Sequence, residues 1–433
     1  MSKLLITGGR VVDPSQAIDR VTNVLIEHGR VSAYDVPDLG ELPTLDATDK
    51  IVAPGLVDLH VQLREPGWEE DETIATGTRA ALAGGFTSIA CIPETDPPLD
   101  TQAGVEFVRQ IALKVRNCHV YVLGCVSKNR EGAELAEIGT LVEAGAVGFT
   151  DAMRPLHNSE LLRRALEYTR MFNKPVFNHP DVPELSRGGI MHEGKTSLVL
   201  GLPGMPSDAE DVMTSRDIRL CESTGGRMHL LSVSCSISID MIRRAKERGV
   251  AITAGVCPWN FAFTDEEMRS FDPLWKVNPP LRAQGHLEAC LAGLANGTID
   301  AISSGHAPRA SEKKMQDLDA APFGMVSLET TLALVITHLI QPGKLTWPQA
   351  IAKLSTNPAK ILGIHKGTLR VGAEADLVII DPNHRWQLDR TKFHSKSSNT
   401  PLHGRNLIGK ATHTFVSGEL RYSDVKHNER VTS

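Results

Sequence analysis

The sequence has few of the features that mark secreted or membrane proteins. Its seven cysteines are scattered, none forms a Cys-x-x-Cys pair, and an odd number speaks against a full disulfide framework. The opening segment MSKLLITGGR has no apolar core of a signal peptide, and no apolar run reaches the length of a membrane span. We therefore expect a soluble, cytoplasmic protein without a membrane partner.

A basic stripe suited to nucleic acid is also missing. The chain carries 46 Lys and Arg against 52 Asp and Glu, a net charge of −6, which argues against nucleic acid as the main partner. At 433 residues and 41% hydrophobic, it is long enough for one large globular domain and a smaller one.

What the sequence does contain is a regular alternation of strand and helix patterns. The predicted strands are Leu56–Val61, Ser88–Ile92, His119–Val126, Ala146–Thr150, Pro175–Asn178, Met228–Val233, Ala251–Cys257 and Ile299–Ser303. The predicted helices are Thr73–Ala83, Gly104–Val115, Glu134–Ala144, Ser159–Phe172, Ser207–Ser223, Ile237–Arg248, Gly285–Ala295 and Ser327–Leu339. Repeated βα units favour a parallel sheet, and eight of them favour a closed (β/α)8 TIM-type barrel, whose site would lie at the carboxyl ends of the strands.

Both termini are predicted to form short strands, which include Lys3–Thr7 at the start and Thr412–Val416 near the end. Neither end has enough residues to bury a core alone. We therefore predict a small composite β-sandwich from residues 1–53 and 365–433, beside a barrel at residues 54–364.

The stretch Pro54–Gly67 organises the rest of the chain. It is a buried strand pattern that ends in polar residues, and the period of a strand places His60 and Gln62 on one face, as a pair of metal ligands would lie. Other motifs follow in order, namely Leu63–Gly67, a Gly-Phe-Thr-Asp that ends in Asp151, Phe-Asn-His-Pro-Asp around His179, Lys276–Arg282, His306–Pro308 and Ala321–Glu329.

Together these motifs resemble those of dihydroorotases, in the dihydroorotase/hydantoinase branch of the amidohydrolase superfamily, over nearly the whole chain. That branch has Asp-x-His-x-His-x-Arg at the first strand and two metals that share a carboxylate. The resemblance places the shared carboxylate on Asp151 and keeps His60 and His179 as ligands. It implies that the other three ligands are replaced, by Gln62, Ser232 and Gly305. His229 lies three positions before Ser232 and is predicted to point to the other face.

The replacement at Gly305 has the largest consequence. The resemblance implies an Asp there that binds metal and takes a proton from the attacking water, and a general base must be a titratable side chain. We therefore expect no catalytic residue and no cofactor, or at most one zinc ion held by His60, Asp151 and His179.

Substrate contacts show a similar pattern. The resemblance implies that Arg64 and an Asn hold a substrate carboxylate, and Arg64 and Asn278 are present as vestigial binding residues. Glu94 stands where the motif has its Asn, and its charge would repel an anionic substrate.

Each of these residues also has a structural interpretation. His60 and His179 could be hydrogen-bonded core residues, Asp151 could cap or pair with Arg154, and Cys257 could serve packing. Arg64 could pair with Glu65, Glu69 or Glu94. Residues 309–320 are expected to form a solvated or mobile charged loop.

Three functions follow from these expectations. The first is an inactive dihydroorotase homologue of pyrimidine biosynthesis with a binding or assembly role, for which the resemblance suggests aspartate transcarbamoylase as partner; a homo-oligomer is also expected. The second is an active hydrolase of dihydroorotate, a hydantoin or another cyclic amide that uses a single metal. The third is a small-molecule binder that uses the barrel mouth.

Overall fold

The fold was analysed in a computed structural model, which describes residues 3–38, 40 and 42–424. Its strands are β1 Lys3–Thr7, β2 Arg10–Asp13, β3 Ile18–Val21, β4 Val24–Glu27, β5 Arg30–Tyr34, β6 Thr44–Asp46, β7 Ile51–Pro54, β8 Leu56–Val61, β9 Phe86–Cys91, β10 His119–Gly124, β11 Gly148–Phe149, β12 Val176–Asn178, β13 Met191–His192, β14 Gly204–Met205, β15 Met228–Leu230, β16 Ile252–Val256, β17 Ala301–Ile302, β18 Leu377–Gln387, β19 Asn406–Val416 and β20 Glu419–Ser423.

Helices connect most of the barrel strands. They are α1 Ile74–Ala83, α2 Gln102–Val115, α3 Ile138–Glu143, α4 Ser159–Arg170, α5 Pro183–Ser186, α6 Lys195–Leu200, α7 Asp208–Thr224, α8 Ser236–Glu247, α9 Pro258–Ala262, α10 Gln284–Asn296, α11 Ser311–Lys314, α12 Leu328–Val335, α13 Trp347–Ile351 and α14 Asn357–Leu362. Two π-helical segments, Ile336–Ile340 and Ala352–Thr356, continue α12 and join α13 to α14. Shorter 3-10 turns lie at Pro14–Gln16, Lys128–Arg130, Asp265–Ser270, Pro273–Trp275 and Arg390–Lys392.

Eight parallel strands form the central sheet, in the order β17-β16-β15-β12-β11-β10-β9-β8. The sheet closes on itself because Val61, at the end of β8, forms a parallel bridge with His306, which follows β17. The backbone N–H of Gln62 donates to the carbonyl of His306 at 2.9 Å and extends this closure. The predicted (β/α)8 barrel is therefore confirmed, and all six residues of β8 are buried, as expected for a strand covered on both faces.

Local signals explain where the barrel helices begin. Thr73 caps α1, since its hydroxyl accepts from the N–H of Thr76 at 3.1 Å. Asn158 caps α4 in the same way, since its side-chain oxygen accepts from the backbone N–H groups of Glu160 and Leu161 at 3.1 and 3.2 Å. These caps fix the ends of amphipathic helices whose apolar faces pack against the barrel.

Strands from both termini build two further sheets, ordered β5-β4-β1-β6 and β20-β19-β18-β7-β2-β3. Their apolar residues share one buried cluster, which joins Leu4 and Val24 of the first sheet to Val11, Leu377 and Phe415 of the second. A β-rich unit from both ends of the chain therefore accompanies the barrel. The limits of the domains at residues 53 and 364 remain a prediction.

Two segments differ from the sequence-based expectations. Between β12 and α7 the chain adds α5, α6 and the two-stranded sheet of β13 and β14, none of which was predicted. Residues 309–320 include α11, and Lys314 is buried there, with its ammonium 2.8 Å from the carbonyls of Pro273 and Pro322. These carbonyl contacts turn part of the expected solvated loop into a packed segment.

Within the residues that the structure describes, no helix is both long and apolar enough to cross a lipid bilayer.

Candidate functional site

The barrel brings the predicted site residues to one end of its strands. His60 lies in β8, and Gln62 directly follows that strand. His179 directly follows β12, Ser232 comes two residues after β15, and Gly305 comes three residues after β17. Carboxyl ends of parallel strands meet at one rim of a barrel, which is where active sites of this fold lie.

His60 is held by a short chain of hydrogen bonds rather than by a second histidine. Its Nδ1 lies 3.2 Å from the hydroxyl of Ser232, which lies 3.0 Å from the sulfur of Cys257. Burial, with His179 nearby, lowers the pKa of His60 to about 4, so the ring is neutral at pH 7. Ser232, which stands where the resemblance implies a metal ligand, thus forms a hydrogen bond with His60.

Several polar atoms at this end of the barrel are buried without a hydrogen-bond partner. They include His60 Nε2, Gln62 Oε1 and both ring nitrogens of His179. Burial also lowers the pKa of His179. An unpartnered buried polar atom typically costs about 1–3 kcal/mol, so this concentration marks a place where a ligand could be accommodated.

Asp151 differs, because both of its carboxylate oxygens already accept hydrogen bonds. One oxygen accepts from the backbone N–H groups of Val126 and Ser127 at 2.8 and 3.1 Å, and the other accepts from the Ser127 hydroxyl. Arg154, its expected partner, does not pair with the carboxylate; its backbone N–H donates to the backbone carbonyl of Asp151 at 2.9 Å. Burial raises the pKa of Asp151 despite these bonds.

Gly305 has neither a side chain nor space for one. Its φ is +62°, in the left-handed region, and a Cβ there would lie 2.5 Å from Cη2 of Trp259 and 2.6 Å from Sγ of Cys257. An Asp at this position would collide with both. The space of the expected general base is filled by an indole ring and a thiol, and burial raises the pKa of that thiol, which stays protonated.

These residues do not fit a two-metal centre. In the described part of the chain, the only three potential ligand side chains with donor atoms within 4.8 Å of one another are His119, Glu374 and Asp376. His60, Asp151 and His179 do not converge in this way. The ammonium of Lys366 contacts all three members of the His119 group, so a protein cation already lies there.

Arg64 has an acidic partner within the protein. Its Nη1 lies 3.2 Å from Oε2 of Glu94, and the guanidinium is almost completely buried. Of the three acids considered from the sequence, Glu94 is the one that pairs, whereas Glu65 accepts from the N–H of Ile74 at 2.8 Å. Glu94 thus supplies the carboxylate that the resemblance assigned to a substrate.

A cavity of about 300 Å³ opens at the barrel mouth. Trp259, Val277 and Phe323 give it apolar walls, and His60, Gln62 and Asn278 contribute polar groups. Its volume suits a single small ring, and its polar groups include both donors and acceptors.

Sequence reasoning named Asp58 only as part of the first-strand motif, and it missed Glu72 and Trp259 at this end of the barrel. Asp58 accepts from the N–H groups of His60 and Ser304 at 3.0 Å each, and burial raises its pKa to about 6. Glu72 lies 3.3 Å from Nε2 of His306, buried between α1 and the rim. Trp259 was overlooked, although its place after Cys257 and Pro258 at a strand end was a usable signal.

Comparisons with known sequences agree with this geometry. A model of the Amidohydrolase family matches residues 51–421. The chain is 50% identical over 422 residues to a protein named "Putative dihydroorotase" from Rhodopirellula baltica, with 96% of this chain and 92% of that protein covered. It is 48% identical over 423 residues to a "Dihydroorotase" from Pelotomaculum thermopropionicum, with 98% and 99% covered.

Solved structures with the same fold include two hydantoin-type hydrolases. The L-hydantoinase (dihydropyrimidinase) from Arthrobacter aurescens superposes with a TM-score of 0.86 at 24% identity, over 97% of this chain and 96% of that one. The dihydropyrimidinase from Brevibacillus agri gives 0.82 at 22% identity, over 96% and 94%. At these identities the likeness concerns the fold.

Proposed function

This chain belongs to the amidohydrolase family, in its dihydroorotase/hydantoinase branch, and from this premise we propose that it is a dihydroorotase-like protein of pyrimidine biosynthesis that has lost ring hydrolysis. Its barrel mouth and surfaces would then serve binding or assembly.

The observation that carries this proposal is the filled space at Gly305. Hydrolysis in this branch, as the resemblance implies it, needs a titratable base beside the attacking water. Trp259 and Cys257 lie where such a side chain would have to go. The loss therefore involves the packing of three residues, Gly305, Trp259 and Cys257, and one substitution would not reverse it.

Turnover and metal content test this proposal together. We expect the full chain, purified without chelator, to open dihydroorotate no faster than buffer with or without added Zn²⁺. The Pelotomaculum relative, assayed in parallel, serves as the positive control. Ring opening at a rate typical of enzymes, or two equivalents of bound metal, would contradict it.

For the assembly role we propose aspartate transcarbamoylase as the partner, within a homo-oligomeric protein. The support is that the fold is kept intact while the reaction centre is replaced. Mixing the two proteins from the same cell at micromolar concentration should give one peak in size-exclusion chromatography that contains both. Two separate peaks would count against this partner.

A second candidate, a single-metal hydrolase of cyclic amides, is favoured by one observation. His60 Nε2 and both nitrogens of His179 are buried and unpartnered, and neutral imidazoles are good zinc ligands. Asp151 would join them through a carboxylate oxygen that already accepts from the Ser127 hydroxyl. One equivalent of tightly held zinc, with turnover that His60→Ala abolishes, would establish this candidate instead.

A further inference from the structure

Asn296 and Gly297 lie where helix α10 ends. Asn296 is the last residue of that helix, and Gly297 follows it with a φ of +86°, in the left-handed region. Both residues are exposed to solvent, and together they form the only Asn-Gly dipeptide in the sequence. A carboxamide side chain and a main-chain amide without a neighbouring Cβ are therefore adjacent at the protein surface.

The backbone N–H of Gly297 donates no hydrogen bond among the residues that the structure describes. Other glycines that end helices in the left-handed conformation do donate. Gly225 donates to the carbonyl of Cys221 at 3.0 Å, and Gly363 donates to that of Lys360 at 3.2 Å. A glycine after a helix commonly pairs with a carbonyl of its last turn in this way. The main-chain nitrogen of Gly297 is therefore not held by the helix.

The side chain of Asn296 is turned toward the same stretch of backbone. Its Oδ1 accepts from the N–H of Thr298 at 2.9 Å, which is the local bond that Asn forms with the residue two positions on. A hydrogen bond to a carbonyl oxygen stabilises the negative charge that develops there when its carbon is attacked. Cγ of Asn296 is therefore both close to the following main chain and activated toward a nucleophile.

The surroundings of this turn leave the nitrogen of Gly297 accessible. A Cβ added at Gly297 would meet no atom within 4 Å, so the turn is open to solvent. The carbonyls of Gly297 and Thr298 are held by the ammonium of Lys246, at 3.4 and 2.8 Å. The turn is thus fixed through its carbonyl oxygens, while the nitrogen between them and Asn296 has no partner.

We propose that Asn296–Gly297 is a site of spontaneous deamidation, at which the Asn side chain is converted through a cyclic imide to aspartate and isoaspartate. The nitrogen of Gly297 attacks Cγ of Asn296, and the N–Cγ bond forms as the Cγ–Nδ2 bond breaks. Nδ2 leaves as ammonia and takes up the proton that the Gly297 N–H loses. Water then opens the imide at either carbonyl, which gives aspartate in one case and isoaspartate in the other.

The products would differ from Asn296 in charge and, for isoaspartate, in the length of the main chain. A carboxylate at the end of α10 is unfavourable beside the negative end of the helix dipole. Isoaspartate also adds one carbon to the backbone just before the buried residues Thr298 and Ile299, which lead into β17. We therefore expect the modification to loosen the last barrel strand, which precedes Gly305.

Peptide mapping of the full chain after incubation in mildly alkaline buffer tests the proposal. Trypsin releases residues 283–309, in which Asn296 is the only Asn, and residues 131–163, in which Asn158 is the only Asn. We expect the first peptide to gain two isomeric deamidated forms while the second stays unmodified, because Asn158 is followed by Ser159, whose Cβ hinders ring closure. No more deamidation in the first peptide than in the second would overturn the proposal.

Three variants examine the route. Asn296→Gln should abolish the reaction, because its longer side chain would have to close a larger ring. Gly297→Ala should slow the reaction about tenfold, because a Cβ restricts the rotation that brings the nitrogen to Cγ. Gly249→Ala is the matched control, since Gly249 has a φ of +82° and no atom within 4 Å of an added Cβ, and it should leave the rate unchanged.

Two outcomes would contradict the cyclic-imide route. One is an equal rate of deamidation in Gly297→Ala and Gly249→Ala, and the other is aspartate formed without isoaspartate. The readouts are peptide masses and retention times, so a failure here is separate from any result on turnover or metal content.

Discussion

The two ends of the barrel treat their buried polar groups in opposite ways. At the amino end, the ammonium of Lys366 lies 2.9 Å from His119 and 2.5 Å from Asp376, and it also contacts Glu374. Asp376 further accepts from the N–H of Ser417 at 2.7 Å. At the carboxyl end, by contrast, His60, Gln62 and His179 keep buried atoms with no partner.

This difference teaches where the fold obtains stability and where it gives some up. Hydrogen bonds and ion pairs in this cluster hold Asp376, which directly precedes β18, against His119 at the start of β10. The cluster thereby joins the terminal sheets to the barrel. Unpaired groups at the mouth cost free energy and are tolerated where a ligand can satisfy them. The carboxyl end of the barrel has therefore not been repacked into an apolar core.

The largest effect is expected from breaking the amino-end cluster. Asp376→Asn removes the buried partner of Lys366 and His119, and we expect the free energy of unfolding to fall by about 3 kcal/mol. Urea denaturation at pH 7 measures it. Glu374→Gln, at a side chain 42% exposed, is the control and should cost less than about 1 kcal/mol. Equal losses of stability in the two variants would show that the buried Asp376 contributes no more than the exposed Glu374.

Next in size is a substitution at the mouth. Gly305→Ala places a Cβ against Trp259 and Cys257 at a positive φ, so we expect a loss of about 2 kcal/mol or more. Gly188→Ala, which has a φ of +78° and no atom within 4 Å of the added Cβ, isolates the backbone cost. That control should lose only about 1 kcal/mol. A Gly305→Ala variant as stable as the control would mean that Trp259 moves aside freely.

The amino-end cluster should also show a pH signature. Burial opposes the charged form of Asp376, but His119 and Lys366 outweigh it and hold its pKa below the ordinary 3.8. A depressed carboxyl pKa contributes stability above the unfolded value and loses it as the pH falls through the folded value. The stability gap between wild type and Asp376→Asn should therefore persist from pH 7 to 5 and narrow below 3.8. A gap that stays constant down to pH 3 would refute this assignment.

The smallest effect should come from an unpartnered group at the mouth. Gln62→Met removes a buried amide whose oxygen has no partner, at similar volume, and should raise the free energy of unfolding by up to about 1 kcal/mol. Gln284→Met on the exposed face of α10 is the matched control and should change stability little. A clear destabilisation by Gln62→Met alone would indicate that this amide is structural.

Much of the barrel followed from periodicity. The limits of β8 were predicted to the residue, and α1 and α2 were predicted to within two residues, because apolar spacing is a local feature of the sequence. The segment with α5, α6, β13 and β14 was missed, since elements of two to six residues carry too little periodicity to detect. The π-helical segments were missed because side-chain spacing hardly distinguishes them from an α-helix.

The candidate site, too, could be predicted only in part from the sequence. The identities of Gln62, Ser232 and Gly305 at strand ends were visible in the sequence, because each lies within a short motif. Their new partners were not visible. The pairing of Ser232 with His60 joins residues 172 positions apart. Arg64 pairs with Glu94 and not with Glu65 or Glu69, which lie nearer to it in the sequence.

By itself, the sequence determined the family, the barrel and the absence of a titratable group at Gly305, because these depend on residue identity and on spacing along one strand or helix. Only the tertiary structure decided that Trp259 and Cys257 fill the space beside Gly305, and that Arg64 pairs with Glu94 beside the mouth. The physical reason is that steric exclusion and charge balance depend on distances between residues far apart in the chain, and those distances exist only once the strands have closed into a barrel.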